Sequence, residues 1–247
     1  EILADPSRTD DFRELESELY IVATDLDTCE RAVFGAPGLD EVPISRAVSA
    51  SSALPMVYQP VEIGGHEFVD GGLVSTTNLD VAVEAGARFV VVVNPLVPYV
   101  NDADLGSPEG RRRRVSAMGF PQIGYQAFKL LAHQRLHELA HRWEERYPGV
   151  DIILIEPEAT DELMFRTNVM NFSSRVEIAR HGFESVTMHL SHEYPRYKEI
   201  CARHGIEISA ARVRNVVRHF DTDQASVGAW RKILEQTTAT LLRQSAS

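Results

Sequence analysis

The chain has 247 residues, of which 44% are hydrophobic and 25% charged, and its formal net charge is -11. That length and apolar content suffice for one or two folded domains, while the acidic balance excludes nucleic acid as an expected partner, since phosphate binding relies on a basic surface. The longest apolar run, Phe89–Val93, is far too short to span a bilayer, and two cysteines, Cys29 and Cys201, are too few for a disulfide framework or a thiolate metal site.

Taken in order, Tyr20-Ile21-Val22-Ala23 has the composition of a strand. Residues 44–53, rich in Ser and Ala, read as a short helix stopped by Pro55. Val61-Glu62-Ile63 and His66-Glu67-Phe68-Val69 flank Gly64-Gly65, the pattern of a two-residue β-hairpin. Asp70-Gly71-Gly72 follows: a carboxylate at a strand end, then two residues without side chains. Asn78 is placed to cap a helix over 79–85 that Gly86 ends, and 88–93 reads as a buried strand. Asp70 is thus expected in a strand-to-helix loop at the carboxyl end of a sheet, where α/β folds build active sites. Asp-Gly also marks ordinary turns, so the motif alone assigns no chemistry.

Residues 95–116, rich in Pro, Gly, Asp and Arg, read as a loop or surface insertion, with Arg111 to Arg114 as a solvated run or, second, a lipid headgroup contact. Residues 125–147 carry an apolar stripe of Phe128, Leu131, Leu136, Leu139 and Trp143, the pattern of a long amphipathic helix. Pro148-Gly149 ends it and Asp151–Ile155 supplies another buried strand. Val176, Ala179, Phe183, Val186 and Leu190 predict a further helix, and Val227, Trp230, Leu234 and Leu241 a last one. The alternation predicts an α/β fold with a mainly parallel sheet flanked by helices and a helical carboxyl-terminal region.

Three other groups bear on chemistry. His137-Glu138-Leu139-Ala140-His141 matches the zinc-peptidase pattern, in which imidazoles at i and i+4 share a helix face and the glutamate activates a metal-bound water. Charged neighbours such as Arg142 and the lack of a secure third ligand weigh against it, so zinc peptidase is an alternative only and no metal ligand is assigned. Asp25 and Asp27 are explained by turn chemistry, and Ser49, Ser51 and Ser52 by close helix packing. Met164, Phe165, Met170 and Phe172 read as core or interface residues, with a lipid-facing lip as the rival.

Ala23-Thr24-Asp25-Leu26, then Ser45-Arg46-Ala47-Val48-Ser49-Ala50-Ser51-Ser52-Ala53-Leu54-Pro55, then Val69-Asp70-Gly71-Gly72 occur in that order. This resembles the patatin-like phospholipase family, lipid acyl hydrolases that use a Ser-Asp dyad whose aspartate lies in an Asp-Gly-Gly motif. The resemblance covers residues 19–95 and is only general in layout beyond. It implies Asp70 as the dyad aspartate, a lipid or acyl ester as substrate with peripheral membrane contact, and no metal or cofactor; the two unpatterned cysteines, Cys29 and Cys201, point to a reducing, cytoplasmic compartment. A catalytically inactive relative that binds lipid or a partner is the other alternative.

The family's Gly-x-Ser-x-Gly elbow and glycine-rich oxyanion loop are not among these 247 residues. Gly106-Ser107-Pro108-Glu109-Gly110 has its serine one place too early and a proline where a backbone donor is needed. The expectation is therefore that residues 1–205 form the carboxyl-terminal part of a patatin-like domain, with 206–247 a helical extension packed on it. The serine-bearing amino-terminal segment of the same protein is the missing partner, and this chain alone is expected to be inactive.

Overall fold

A computed structural model describes residues 9–98, 100, 119–157 and 175–211. Gly106 to Gly110, Arg111 to Arg114, the Met164–Phe172 group and the helix expected around Trp230 lie outside the described residues. The described residues fall into two compact units, 9–90 with 119–150, and 91–98 and 100 with 151–157 and 175–211.

The first unit is built on four strands: β1 (Ile21–Asp25), β2 (Arg31–Phe34), β3 (Val61–Ile63) and β4 (His66–Asp70), in the order β2-β1-β4-β3. Every neighbouring pair is antiparallel. This corrects the expected mainly parallel sheet. The reason lies in the connections: β1 returns as β2 after residues 26–30, and β3 as β4 after Gly64-Gly65, whereas a parallel return needs a crossover of a dozen residues or more. Gly64 and Gly65 have φ of 62° and 84°, the positive pair that a type I′ hairpin turn requires, as their sequence predicts.

One face of the sheet packs on helix α1 (Ile44–Ser51) through a cluster of Phe12, Ala23, Phe34, Ala47, Ala50 and Phe68. Ala23, Ala47 and Ala50 are fully buried, so helix and strand meet closely, and the Phe34 and Phe68 rings fill the remaining space edge to face, 5.4 Å apart. The alanines make this close approach; Ser49 is exposed and its hydroxyl donates to the Ser45 carbonyl at 2.8 Å. The start of α1 is capped from afar, Asp10 accepting from the Ser45 N–H at 2.6 Å and its hydroxyl at 2.7 Å.

Helix α2 (Leu79–Glu84) forms as expected and ends at Gly86, φ 96°. Asn78 precedes it but makes no side-chain cap; it is left-handed (φ 45°) and its Nδ2 donates to the Ser75 carbonyl at 2.9 Å. Arg31 of β2 ties α2 to the sheet through Asp80 at 2.7 Å.

Helix α3 runs Phe120–Ala140, and Trp143 belongs to a separate short helix, α4 (Trp143–Arg146). The buried row of α3 is Lys129, Ala132 and Leu136, at helical spacing, whereas Leu131 is 71% exposed and does not belong to the buried stripe.

Strand β5 (Phe89–Val93), most of which belongs to the second unit, pairs with β6 (Asp151–Ile155). The Asn94 N–H donates to the Ile155 carbonyl at 2.9 Å, so the two strand ends lie side by side as in a parallel pair. β5 alternates: Val92 is buried while Val91 and Val93 are exposed, so it is not the doubly covered strand expected. Helices α5 (Arg175–His192) and α6 (Tyr194–Arg203) follow, with Tyr197, Ile200 and Cys201 buried. Phe183, placed on the apolar stripe by its spacing, is 60% exposed. Strands and helices thus mix as in an α/β protein, with helices dominant after β6 in the described residues.

Candidate active site

Asp70 is the last residue of β4, paired with Ala23 of β1. Its backbone is held on two sides: its N–H donates to the Ala53 carbonyl at 3.1 Å, and its carbonyl accepts from the Thr24 hydroxyl at 3.2 Å. A 3-10 turn, Gly71–Leu73, starts at once, and Asp70 caps it, Oδ1 accepting from the Gly72 N–H at 2.8 Å. Oδ2 accepts no hydrogen bond among the described residues. Burial raises the Asp70 pKa above its ordinary value, and the Gly72 N–H opposes that rise.

Each glycine of the motif has a separate cause. A β-carbon on Gly71 would stand 2.5 Å from the Val22 carbonyl oxygen, so the chain passes too close to β1 for any side chain. A β-carbon on Gly72 would stand 3.0 Å from Asp70 Oδ1 and 3.7 Å from Phe128. Gly71 sets the path of the backbone, and Gly72 leaves room around the carboxylate.

Helix α3 borders this turn. Phe128 faces Gly72, and one turn later the Ala132 carbonyl accepts from the Thr76 hydroxyl at 3.2 Å. Tyr125 lies on the same side, its phenol shifted upward first by burial and then by the negative charge of Asp70. Met56, in a left-handed conformation (φ 67°), sets its sulfur where a β-carbon on Gly124 would stand at 2.7 Å.

Asp25 is the buried partner of the sequence's other carboxylate pair. Its Oδ1 accepts from the N–H groups of Asp27 (3.0 Å) and Thr28 (3.1 Å), and its Oδ2 pairs with His66 Nδ1 at 2.8 Å. The Thr28 N–H is the main cause of its lowered pKa, burial opposes, and His66 and the Asp27 N–H add to the lowering. This is turn chemistry, as the sequence suggested, joined by a hairpin histidine that local sequence did not indicate.

The rival metal motif does not assemble. His141 is exposed at the carboxyl end of α3, and the imidazole neighbour of His137 is His133, ring centroids 4.2 Å apart. Among the described residues no set of three metal-ligating groups joins His137 to His141.

Residues 2–83 match the family model of patatin-like phospholipase. That segment runs from the residues before β1 through Asp70-Gly71-Gly72 into α2, and over it the chain is similar to patatin-like phospholipases. No curated protein matches the chain.

Proposed function

We propose that this patatin-like chain supplies the aspartate of a Ser-Asp dyad in a lipid acyl hydrolase of the phospholipase A or lysophospholipase type. Asp70 is the general base, and the nucleophilic serine comes from a segment outside these 247 residues. The observation that carries the reading is the Asp70 carboxylate itself. One oxygen is fixed by the Gly72 N–H at 2.8 Å, the other has no hydrogen-bond partner among the described residues, and burial lifts the pKa.

Those three properties suit a base that must act without histidine. A serine hydroxyl becomes nucleophilic as its proton leaves, and an aspartate with an ordinary pKa near 3.9 is a weak acceptor at neutral pH. Partial burial makes it a stronger one, and the fixed Oδ1 aims Oδ2. The serine Oγ–H proton passes to Asp70 Oδ2 as Oγ attacks the ester carbonyl. Asp70 then protonates the departing alkoxide, and a water deprotonated by the same carboxylate releases the acid from the acyl enzyme. The route requires no metal or cofactor.

Peripheral contact with a lipid surface belongs to the same reading. Met56, Phe120 and Ile123, near the start of α3, are exposed apolar residues of the first unit. No helix of the described residues is long and apolar enough to cross a membrane.

The test is fluorophosphonate labelling of the full-length gene product with peptide mapping, in wild type and Asp70→Asn. One serine outside these residues is expected to be labelled, and the substitution to slow labelling by about two orders of magnitude or more. Folded protein with no labelled serine would leave the inactive, lipid-binding relative as the reading.

A further inference from the structure

Lys129 is 8% exposed, yet its ammonium has no carboxylate, carbonyl or hydroxyl partner among the described residues. Its ammonium lies over the face of the Tyr125 ring, with Nζ 4.8 Å from the centroid. Lysines are almost never buried unless paired, and an ammonium taken out of water is costly without a counter-charge. The ring face offsets only part of that cost. The arrangement leaves one positive charge on a largely buried side chain, backed by an aromatic wall and without an anion among the described residues.

Its position gives that charge a use. Tyr125, Phe128, Lys129 and Ala132 lie at spacings of three, one and three on α3, the turn that runs along residues 72–76. Tyr125 lies close enough to Asp70 to feel its charge, while Lys129 shows no comparable coupling to the carboxylate. The Tyr125 ring thus carries the lysine on its face and lies near enough to Asp70 to feel its charge.

We propose that Lys129 and Tyr125 form an anion subsite on α3, with Tyr125 on its Asp70 side, that holds the oxyanion of an acyl amphiphile, either a phospholipid phosphate or a fatty-acid carboxylate. The ammonium supplies the charge-assisted hydrogen bond, and the Tyr125 ring holds the lysine in place. The choice of an acyl amphiphile rests on the hydrolase reading; the anion site itself does not.

Equilibrium binding tests it without requiring turnover. The probes are a monoacylglycerol, a lysophosphatidic acid and a free fatty acid of one short acyl chain, each kept below its micelle concentration. They are titrated into the full 247-residue chain and its Lys129→Met variant. Methionine nearly matches the length of lysine and removes an uncompensated charge, so the variant should fold with an unchanged or higher thermal midpoint; Lys129→Gln serves if it does not. Wild type should prefer an anionic probe over the monoacylglycerol by about tenfold or more, the scale of one hydrogen bond to a charged group, and the variant should lose that preference. Loss confined to the lysophosphatidic acid identifies the phosphate, and loss confined to the fatty acid the carboxylate. A wild type with no anion preference, or a variant that keeps it, overturns the subsite. Because no ester is cleaved, this result stands apart from the serine-labelling experiment.

Discussion

Gly71 runs so close to Val22 that a β-carbon on it would lie 2.5 Å from the Val22 carbonyl oxygen and 2.8 Å from its carbonyl carbon. The obstacle is backbone of a paired strand, which cannot rotate away as a side chain can. The glycine next to it faces a different neighbour, the Asp70 carboxylate, at 3.0 Å. The motif thus joins a constraint on the fold to one on the site, and substitution should separate them. Gly71→Ala should lose about 1–3 kcal/mol of stability, as overpacking does, read as a lower midpoint in urea. Gly72→Ala should keep most of its stability and slow serine labelling in the full-length protein, because its methyl presses on Oδ1. Equal stability losses in the two variants would remove the distinction.

Asp70 gives a signed pH dependence. Its folded pKa is raised, so folding is favoured most when the group is protonated, below its unfolded pKa near 3.9. That contribution is lost as pH rises through the higher folded value. Asp70→Asn keeps an oxygen for the Gly72 N–H and removes the buried charge. It should match or exceed wild type in thermal midpoint at pH 7, with the gap closing below about pH 4. A wild type more stable than the variant at pH 7 would show that burial does not dominate.

In the second unit the sign reverses. Asp151 is held at a pKa of about 2, first by hydrogen bonds from Arg203 and then by His204, with burial opposing. Its distances are 2.6 Å to Arg203 Nη2 and 2.7 Å to His204 Nε2. A depressed carboxylate favours folding above its unfolded pKa, and the benefit disappears as pH falls from about 4 through about 2. Arg203→Ala should move the Asp151 carboxyl titration, followed by carbon-13 NMR, upward toward the ordinary value, and should blunt the acid sensitivity of this unit. An unmoved titration would mean that His204 and solvent suffice.

Met56 and Gly124 form a second close approach, this time against a flexible side chain. Alanine at Gly124 would meet the Met56 sulfur at 2.7 Å but would gain about 1 kcal/mol of helix propensity within α3. The two effects should nearly cancel in Gly124→Ala. Met56→Gly relieves the left-handed backbone of Met56, so the double variant should be more stable than the sum of the single changes. Strict additivity in urea denaturation would show that the two residues do not press on each other.

Much of this was legible in the chain because it is decided locally. Gly64-Gly65 between two alternating runs dictates a tight hairpin, since both positions need positive φ that side-chain-bearing residues resist. Gly86 ends α2 for a similar reason, and Asp70-Gly71-Gly72 placed a carboxylate at a strand end with free backbone behind it. Composition and the stop at Pro55 located α1, and periodicity located α3 and α5. These signals depend on backbone sterics and spacing over a few residues, which the sequence states directly.

What only the tertiary structure decided depends on partners distant in the chain. The pairing of β1 with β4 made the sheet antiparallel where alternation of strands and helices suggested a parallel one. Proximity to Val22 explains why residue 71 lacks a side chain, and the turn around Asp25 draws in His66 from the hairpin. Leu131 and Phe183 are exposed despite apolar spacing, while Lys129 is buried despite its charge. A helix's own period defines which residues share a face; the surfaces packed around the helix decide which face leaves water, and that choice set the Lys129 ammonium over the Tyr125 ring.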